Sequence, residues 1–218
     1  MKRNLYILLV VLGLSSLSCG FLKDNADVTK RAEIPMDFTI DASKLCDESS
    51  EHIDDCNSEN TKEAPEPISL KEIEQDLDVD IVERTGKEEL RDASGEFKEI
   101  TITSIKYEVT QNTLSFATPK IDIYNGPIPA KKTGDDGVFK LTTLPPVAAG
   151  TNDSGTAPVD ESAQSKASDL YKELKFSAIP AGKPKLRKGD EVPPHGKAKV
   201  KLTLNVKFVF NPAEAADS

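Results

Sequence analysis

One stretch constrains this chain more than any other. Ala198, Val200, Leu202, Leu204, Val206, Phe208 and Phe210 alternate without a break, and Lys199, Lys201, Thr203, Asn205 and Lys207 fill the places between them. Successive side chains of a strand point to opposite faces. The period of two therefore puts all the apolar groups on one face and the lysines on the other. Such a strand belongs in the middle of an antiparallel sheet, with its lysine face in water and its apolar face covered by a second layer.

Other segments carry the same signal more weakly. Met36, Phe38, Ile40 and Ala42 predict a first strand leading to Cys46. Ile100 and Ile102 share one phase, whereas Ile105, Tyr107 and Val109 share the other. The break at Thr103-Ser104 predicts a bulge, or a strand that passes from one sheet to another. Thr110 to Thr113 reads as a hairpin turn, with Leu114 and Phe116 leading the returning strand and Ile121 and Ile123 following Pro119 in a new phase. Phe139, Leu141 and Thr143 form a further strand, as do Phe176, Ala178 and Ile179. Val79 and Ile81 begin another, and residues 85–96 read as a polar turn or helical piece.

Two helices are expected. Ser69 to Glu72 has capping-box spacing, with Leu70, Ile73 and Leu77 behind it. Asp160 caps a second helix, in which Ala163, Ala167, Leu170 and Leu174 form one stripe. Residues 144–158 and 181–196 read as long loops. The pattern predicts a mainly β fold, an antiparallel β-sandwich of immunoglobulin-like kind with one or two short inserted helices. A small β-barrel is the alternative. The chain has no Trp, so the Cys–Trp–Cys signature of true immunoglobulin domains is missing.

The amino terminus reads differently. Lys2 and Arg3 precede an uncharged apolar run from Leu5 to Leu14, followed by small residues. That is the order of a secretory signal. As a helix the run is roughly 15 Å long, about half a bilayer's hydrocarbon thickness. The stretch Ser16-Leu17-Ser18-Cys19 resembles the lipobox of bacterial lipoproteins, although Leu17 stands two residues before the Cys and Ser16 takes the usual Leu place. The resemblance implies cleavage before Cys19, lipid on its thiol and an acyl chain such as palmitate on the new amino terminus. Gly20 is compatible with the outer membrane under the enteric sorting scheme. The expected layout is a signal peptide over 1–18, a tether over 19–33, one domain over 34–212 with an acidic, loop-rich part at 43–68, and a tail over 213–218.

With Cys19 acylated, Cys46 and Cys56 remain as an even pair, and export favours their disulfide. In the entropic model the short loop contributes roughly 3 kcal/mol. Asp47, Glu48, Glu51, Asp54 and Asp55 lie inside that loop without the spacing or the Gly of a known calcium loop, so a solvated acidic loop is expected. Two Cys and His52 lack a fourth metal ligand. His52 and His195 are the only histidines, neither in a catalytic motif, and no P-loop or GxGxxG occurs. The chain is therefore expected to be no enzyme and to need no metal or cofactor.

The net charge is −9, but its distribution is uneven: residues 19–97 carry −14 and residues 165–210 carry +7. Lys183, Lys185, Arg187, Lys188, Lys197, Lys199 and Lys201 make up a basic stretch that could bind an anion if the loop folds back beside the strand. The reading that follows is an exported, lipid-anchored protein of the bacterial envelope at the outer membrane, structural or adhesive in role. The alternative is a ligand-binding or envelope-assembly module for a polyanion such as lipopolysaccharide. The implied partners are the membrane, through the lipid on Cys19, and an envelope protein or a polyanionic glycolipid. Intact-mass analysis of chain expressed in a bacterium should find Cys19 acylated, with Cys19→Ala moving the protein to the soluble fraction; an unmodified wild-type terminus rejects the lipobox reading.

Overall fold

The computed structural model describes residues 27–46 and 61–211. The long alternating stretch is strand β13 (Lys197–Phe210), and it lies between two equally long strands, β1 (Val28–Asp41) and β6 (Phe97–Thr110). All fourteen of its residues pair antiparallel with β1. Its apolar face is buried along its whole length, from Ala198 to Phe210. Across the strands Phe97 meets Phe208 and Phe210, with ring centroids 5.4 and 5.9 Å apart. Each such side chain buried contributes roughly 1.5–3 kcal/mol. Strand β1 starts at Val28, six residues before the expected domain boundary at 34.

The phase break in β6 is a bulge. Ser104 pairs with Asn205 and Ile102 with Val206, so Thr103 is an extra residue, and its hydroxyl donates to the Asn205 carbonyl at 3.0 Å. The bulge lets Ile100 and Ile102 on one side, and Ile105, Tyr107 and Val109 on the other, all face the core.

Strands β2 (Lys62–Glu63), β3 (Ile68–Ser69), β4 (Ile73–Glu74) and β5 (Leu77–Asp80) follow β1. Strands β7 (Ile121–Gly126), β8 (Phe139–Leu144) and β9 (Asp153–Ala157) follow β6. Strands β10 (Lys175–Gly182), β11 (Lys185–Leu186) and β12 (Glu191–Val192) lead to β13. One sheet has the order β1-β13-β6-β9; in the other, β10 pairs with β4 and β5 on one side and β7 on the other, and β7 pairs with β8. Two-residue ribbons, β3 with β11 and β2 with β12, pair residues of the connections.

The sandwich is as the sequence led us to expect, and the sheets do not close into the alternative barrel. The strand order, however, is that of a jelly roll, not of an immunoglobulin domain. Among the long strands only β7 and β8 are joined within one sheet; every other connection crosses between sheets. The antiparallel registers then place the connections after β1, β6, β8 and β10 at one end, and those after β5, β7 and β9 at the other.

Two local expectations change. Residues 111–120 are a crossover, not a hairpin: Leu114 and Phe116 are buried at the end of the sandwich without forming a returning strand. Residues 69–77 are extended, not helical. Leu70, Lys71 and Gln75 donate their amides to the Pro184, Leu45 and Pro180 carbonyls. These bonds across the fold win over a two-turn helix whose nucleation is unfavourable. Short helices instead occupy Ile81–Thr85 (α1), capped by Asp80, and Glu89–Asp92 (α2).

The second expected helix is α3 (Glu161–Tyr171), capped by Asp160, whose carboxylate accepts from the Ser162 amide at 2.9 Å. Its buried stripe is Ala163, Ala167 and Tyr171; Leu174 lies beyond the helix at φ 56°. The fully buried Tyr171 stacks near Phe176 at 4.6 Å and shares a 2.6 Å hydrogen bond with the Asn125 amide group. Burial pushes its phenol far above the ordinary range.

The bulge gives a direct test of register. Deleting Thr103 leaves the flanking pairs in step and turns the stretch from Glu99 to Thr110 into one regular alternation, so the fold should survive with a stability change of no more than about 1–2 kcal/mol. Deleting Lys106 instead throws one half of β6 onto the wrong face and should abolish the cooperative thermal transition. Equal tolerance of the two deletions in a melting experiment would contradict the assignment.

Candidate functional site

The basic residues singled out in the sequence do not meet in one patch. Lys197 opens β13 and pairs with Asp41 at 2.9 Å. That contact, with help from Ser43, holds the Asp41 carboxyl below its usual range. Lys201 stands in register between Asp37 of β1 and Glu108 of β6, and Lys199 between Thr39 and Thr110. At this end of the wet face acids therefore answer lysines across neighbouring strands, whereas farther along Lys207 stands opposite Arg31 and reaches Glu99 at 2.7 Å. Lys183, Lys185 and Arg187 lie at the loop end, beside a groove of about 470 Å³ that Asp190 also lines. Lys183 faces Glu72 at 3.8 Å, and the Asp190 carboxylate accepts from the Arg187 amide at 2.6 Å, closing the turn that carries Lys188. His195 lies 3.3 Å from Glu191 in the same connection.

Cys46 is disulfide-bonded. Cys56, the partner expected for it, lies outside the described residues, as do Cys19, His52 and the acidic residues 47–55. Among the described residues no three His, Cys, Asp or Glu side chains are grouped to hold a metal, and no helix is long and apolar enough to cross a membrane.

What distinguishes the surface is the treatment of the sheet edges. An edge strand offers unpaired N–H and C=O groups to any passing strand, and proteins commonly cover or interrupt such edges. Along β1, Pro35 removes one donor, the Gln75 side chain donates to the Thr39 carbonyl at 2.9 Å, and α1 packs against the strand. Lys30 of β1 also reaches Glu89 of α2 at 3.5 Å. Along β8, the Asp160 amide donates to the Leu141 carbonyl at 3.2 Å, the Thr142 hydroxyl donates to the Pro158 carbonyl at 2.6 Å, and α3 packs alongside. The edge made by β4 and β5 is broken into two short pieces. Thr133 reaches over to it, its amide and hydroxyl donating to Glu74 at 2.9 and 3.1 Å.

Strand β9 is treated differently. It pairs with β6 on one side, and among the described residues no other strand pairs with it. Asp153, Ser154, Gly155 and Thr156 are all exposed, and the strand contains neither Pro nor Lys. Ser154 and Thr156 stand opposite Glu108 and Lys106 and so share the wet face. Gly155 stands opposite Tyr107, whose ring fills the space a side chain would need: a Cβ on Gly155 would lie 2.9 Å from the Tyr107 hydroxyl. That hydroxyl donates to the Asp153 carboxylate at 3.2 Å, and desolvation together with the Asp153 charge raises the phenol's pKa.

The approach to β9 is equally well determined. Asn112 is buried, and its side-chain amide donates to the Ala148 and Thr151 carbonyls at 3.1 and 2.6 Å. Its side-chain carbonyl accepts from the Leu114 amide, while its own amide donates to the Asn152 side chain. One side chain from the β6–β7 crossover thereby ties down the segment that feeds β9. Sequence reasoning placed residues 144–158 in a loop, because Asp-Ser-Gly-Thr-Ala has no apolar alternation to reveal a strand.

No family model matches this chain, and no curated protein matches it in sequence. Solved structures that it resembles come from virus particles. A semi-empty VLP of the nodavirus of the giant freshwater prawn Macrobrachium rosenbergii matches at 10% identity and a TM-score of 0.31, over 86% of this chain and 96% of that one. The BFDV capsid protein, solved as a 60-mer, matches at 11% and 0.29 over the same shares. Mud crab tombus-like virus matches at 11% and 0.31, over 85% of this chain and 82% of that one. None of these neighbours is a bacterial envelope protein, so the functional expectation finds no support among them. The lipid-anchored, structural or adhesive outer-membrane protein is set aside, together with its bacterial location. So is its alternative, the polyanion or lipopolysaccharide module, whose basic stretch is divided between a charge-matched sheet face and a separate loop groove.

Replacing Asn112 with Ala should free residues 145–152 and leave several carbonyls and amides without partners. We expect a loss of about 2–3 kcal/mol of stability and faster hydrogen exchange in residues 153–157. Unchanged exchange there would show that Asn112 does not position β9.

Proposed function

We propose that this chain is a non-catalytic building block that works by oligomeric assembly, using β9 as its docking edge. One observation carries the reading: the other sheet edges are covered or interrupted by the chain's own residues, whereas among the described residues no strand pairs with the outer side of β9. An exposed strand without charge blocks or Pro along its middle is a template for strand addition, in which main-chain hydrogen bonds supply affinity. Tyr107 supports the strand from beneath, so the edge is held in the extended form that a docking strand needs. The remaining surface is charged and balanced across strands, which suits solubility more than binding.

Sedimentation equilibrium of the full chain at 0.15 M salt tests this over a wide concentration range. The expected result is an average mass that rises above that of one chain, with hydrogen exchange in residues 153–157 slowing in step. A single-chain mass and unchanging exchange at every concentration overturn the proposal.

A further inference from the structure

Resting on that reading of the edge, we infer that its occupant is the β9 strand of a second copy, antiparallel and related by a two-fold axis through Gly155. The register follows from the strand itself. In an antiparallel pair, opposite residues share a face, so only registers that oppose like-facing residues keep both wet faces on one side of a continuous sheet. Ser154 and Thr156 face water with Glu108 and Lys106, while Asp153 and Gly155 lie on the Tyr107 side. Centring the axis on Gly155 pairs all five residues of β9, the most that any register allows. It places Ser154 opposite Thr156 of the partner subunit and Asp153 opposite Ala157 of the partner subunit.

Competing registers lose on the same counts. Centring on Asp153 brings the two Asp153 carboxylates face to face, which is unfavourable. Centring on Ser154 or Thr156 shortens the ladder to three pairs. At the favoured register, two hydroxyl side chains meet across the seam on the wet side. Gly155 leaves the axis free of side chains, because Tyr107 already fills the space beneath it. One row outward, Lys106 of one copy lies in line with Glu108 of the partner subunit, so the sheet faces meet with unlike charges.

The contact is isologous and therefore closes at two chains. It joins two four-stranded sheets into one of eight strands. A seam of this length, on a chain of net charge −9, belongs with small and reversible interfaces.

Two double variants of the full chain read the register. Both change exposed wet-face side chains, and each is first checked by thermal melting for an intact fold. S154K/T156K sets Lys against Lys twice across the seam and should abolish the dimer in sedimentation equilibrium. S154K/T156E sets Lys against Glu twice across the seam and matches the new charges to Glu108 and Lys106 of the same chain, so it should keep or tighten the dimer. Persistence of the dimer in S154K/T156K overturns the β9 seam while leaving assembly itself standing. Loss in both variants overturns the Gly155 register. A wild-type chain that stays single at every concentration removes both this inference and the assembly reading beneath it.

Discussion

The fold depends on the pairing of β13 with both of its neighbours at once. All fourteen residues pair with β1, and the twelve from Lys199 to Phe210 pair with β6 as well, so most main-chain polar groups of β13 have a partner available in the sheet. That ladder satisfies backbone groups that would otherwise be costly to bury. It also holds seven apolar side chains in line against the second sheet. The β1 and β6 registers, the Thr103 bulge and the charge pattern on the wet face all follow from this one alignment. A one-residue slip would carry the apolar row into water.

From that central strand the jelly-roll connectivity sends nearly every connection across the sandwich, and four of them gather at one end. There the backbone of the crossovers must be satisfied without a sheet. Asn112 does much of this for the β6–β7 and β8–β9 connections, and short ribbons do it for the segments around β3 and β11. These local contacts decide where β9 begins and that it lies straight along β6. An edge that looks like an unremarkable loop in composition is thus built by buried contacts some forty residues away.

The same contrast separates the two charged regions. The lysines of β13 looked like half of a basic patch, yet the register sets them beside Asp37, Asp41 and Glu108. Lys183, Lys185 and Arg187 share a groove with Asp190 at the loop end. Net charge along the chain therefore said little about charge on the surface, because antiparallel pairing interleaves the acidic first third with the basic last third.

Alternation by itself determined that this is a mainly β sandwich, that β13 is central with a wet lysine face, that β6 is bulged near Thr103, and that Asp160 starts a helix. Those features are local: a period of two, a break in phase and a cap are visible within a few residues. Only the tertiary structure decided the rest. It chose a jelly roll over an immunoglobulin order, since the pattern of a strand says which face is buried but not which sheet it joins. It drew residues 69–77 into extended pairings through hydrogen bonds to Leu45, Pro180 and Pro184. It also made a strand of Asp153-Ser-Gly-Thr-Ala157, which has no apolar rhythm because one edge and one face meet water, and whose only strand partner among the described residues is β6.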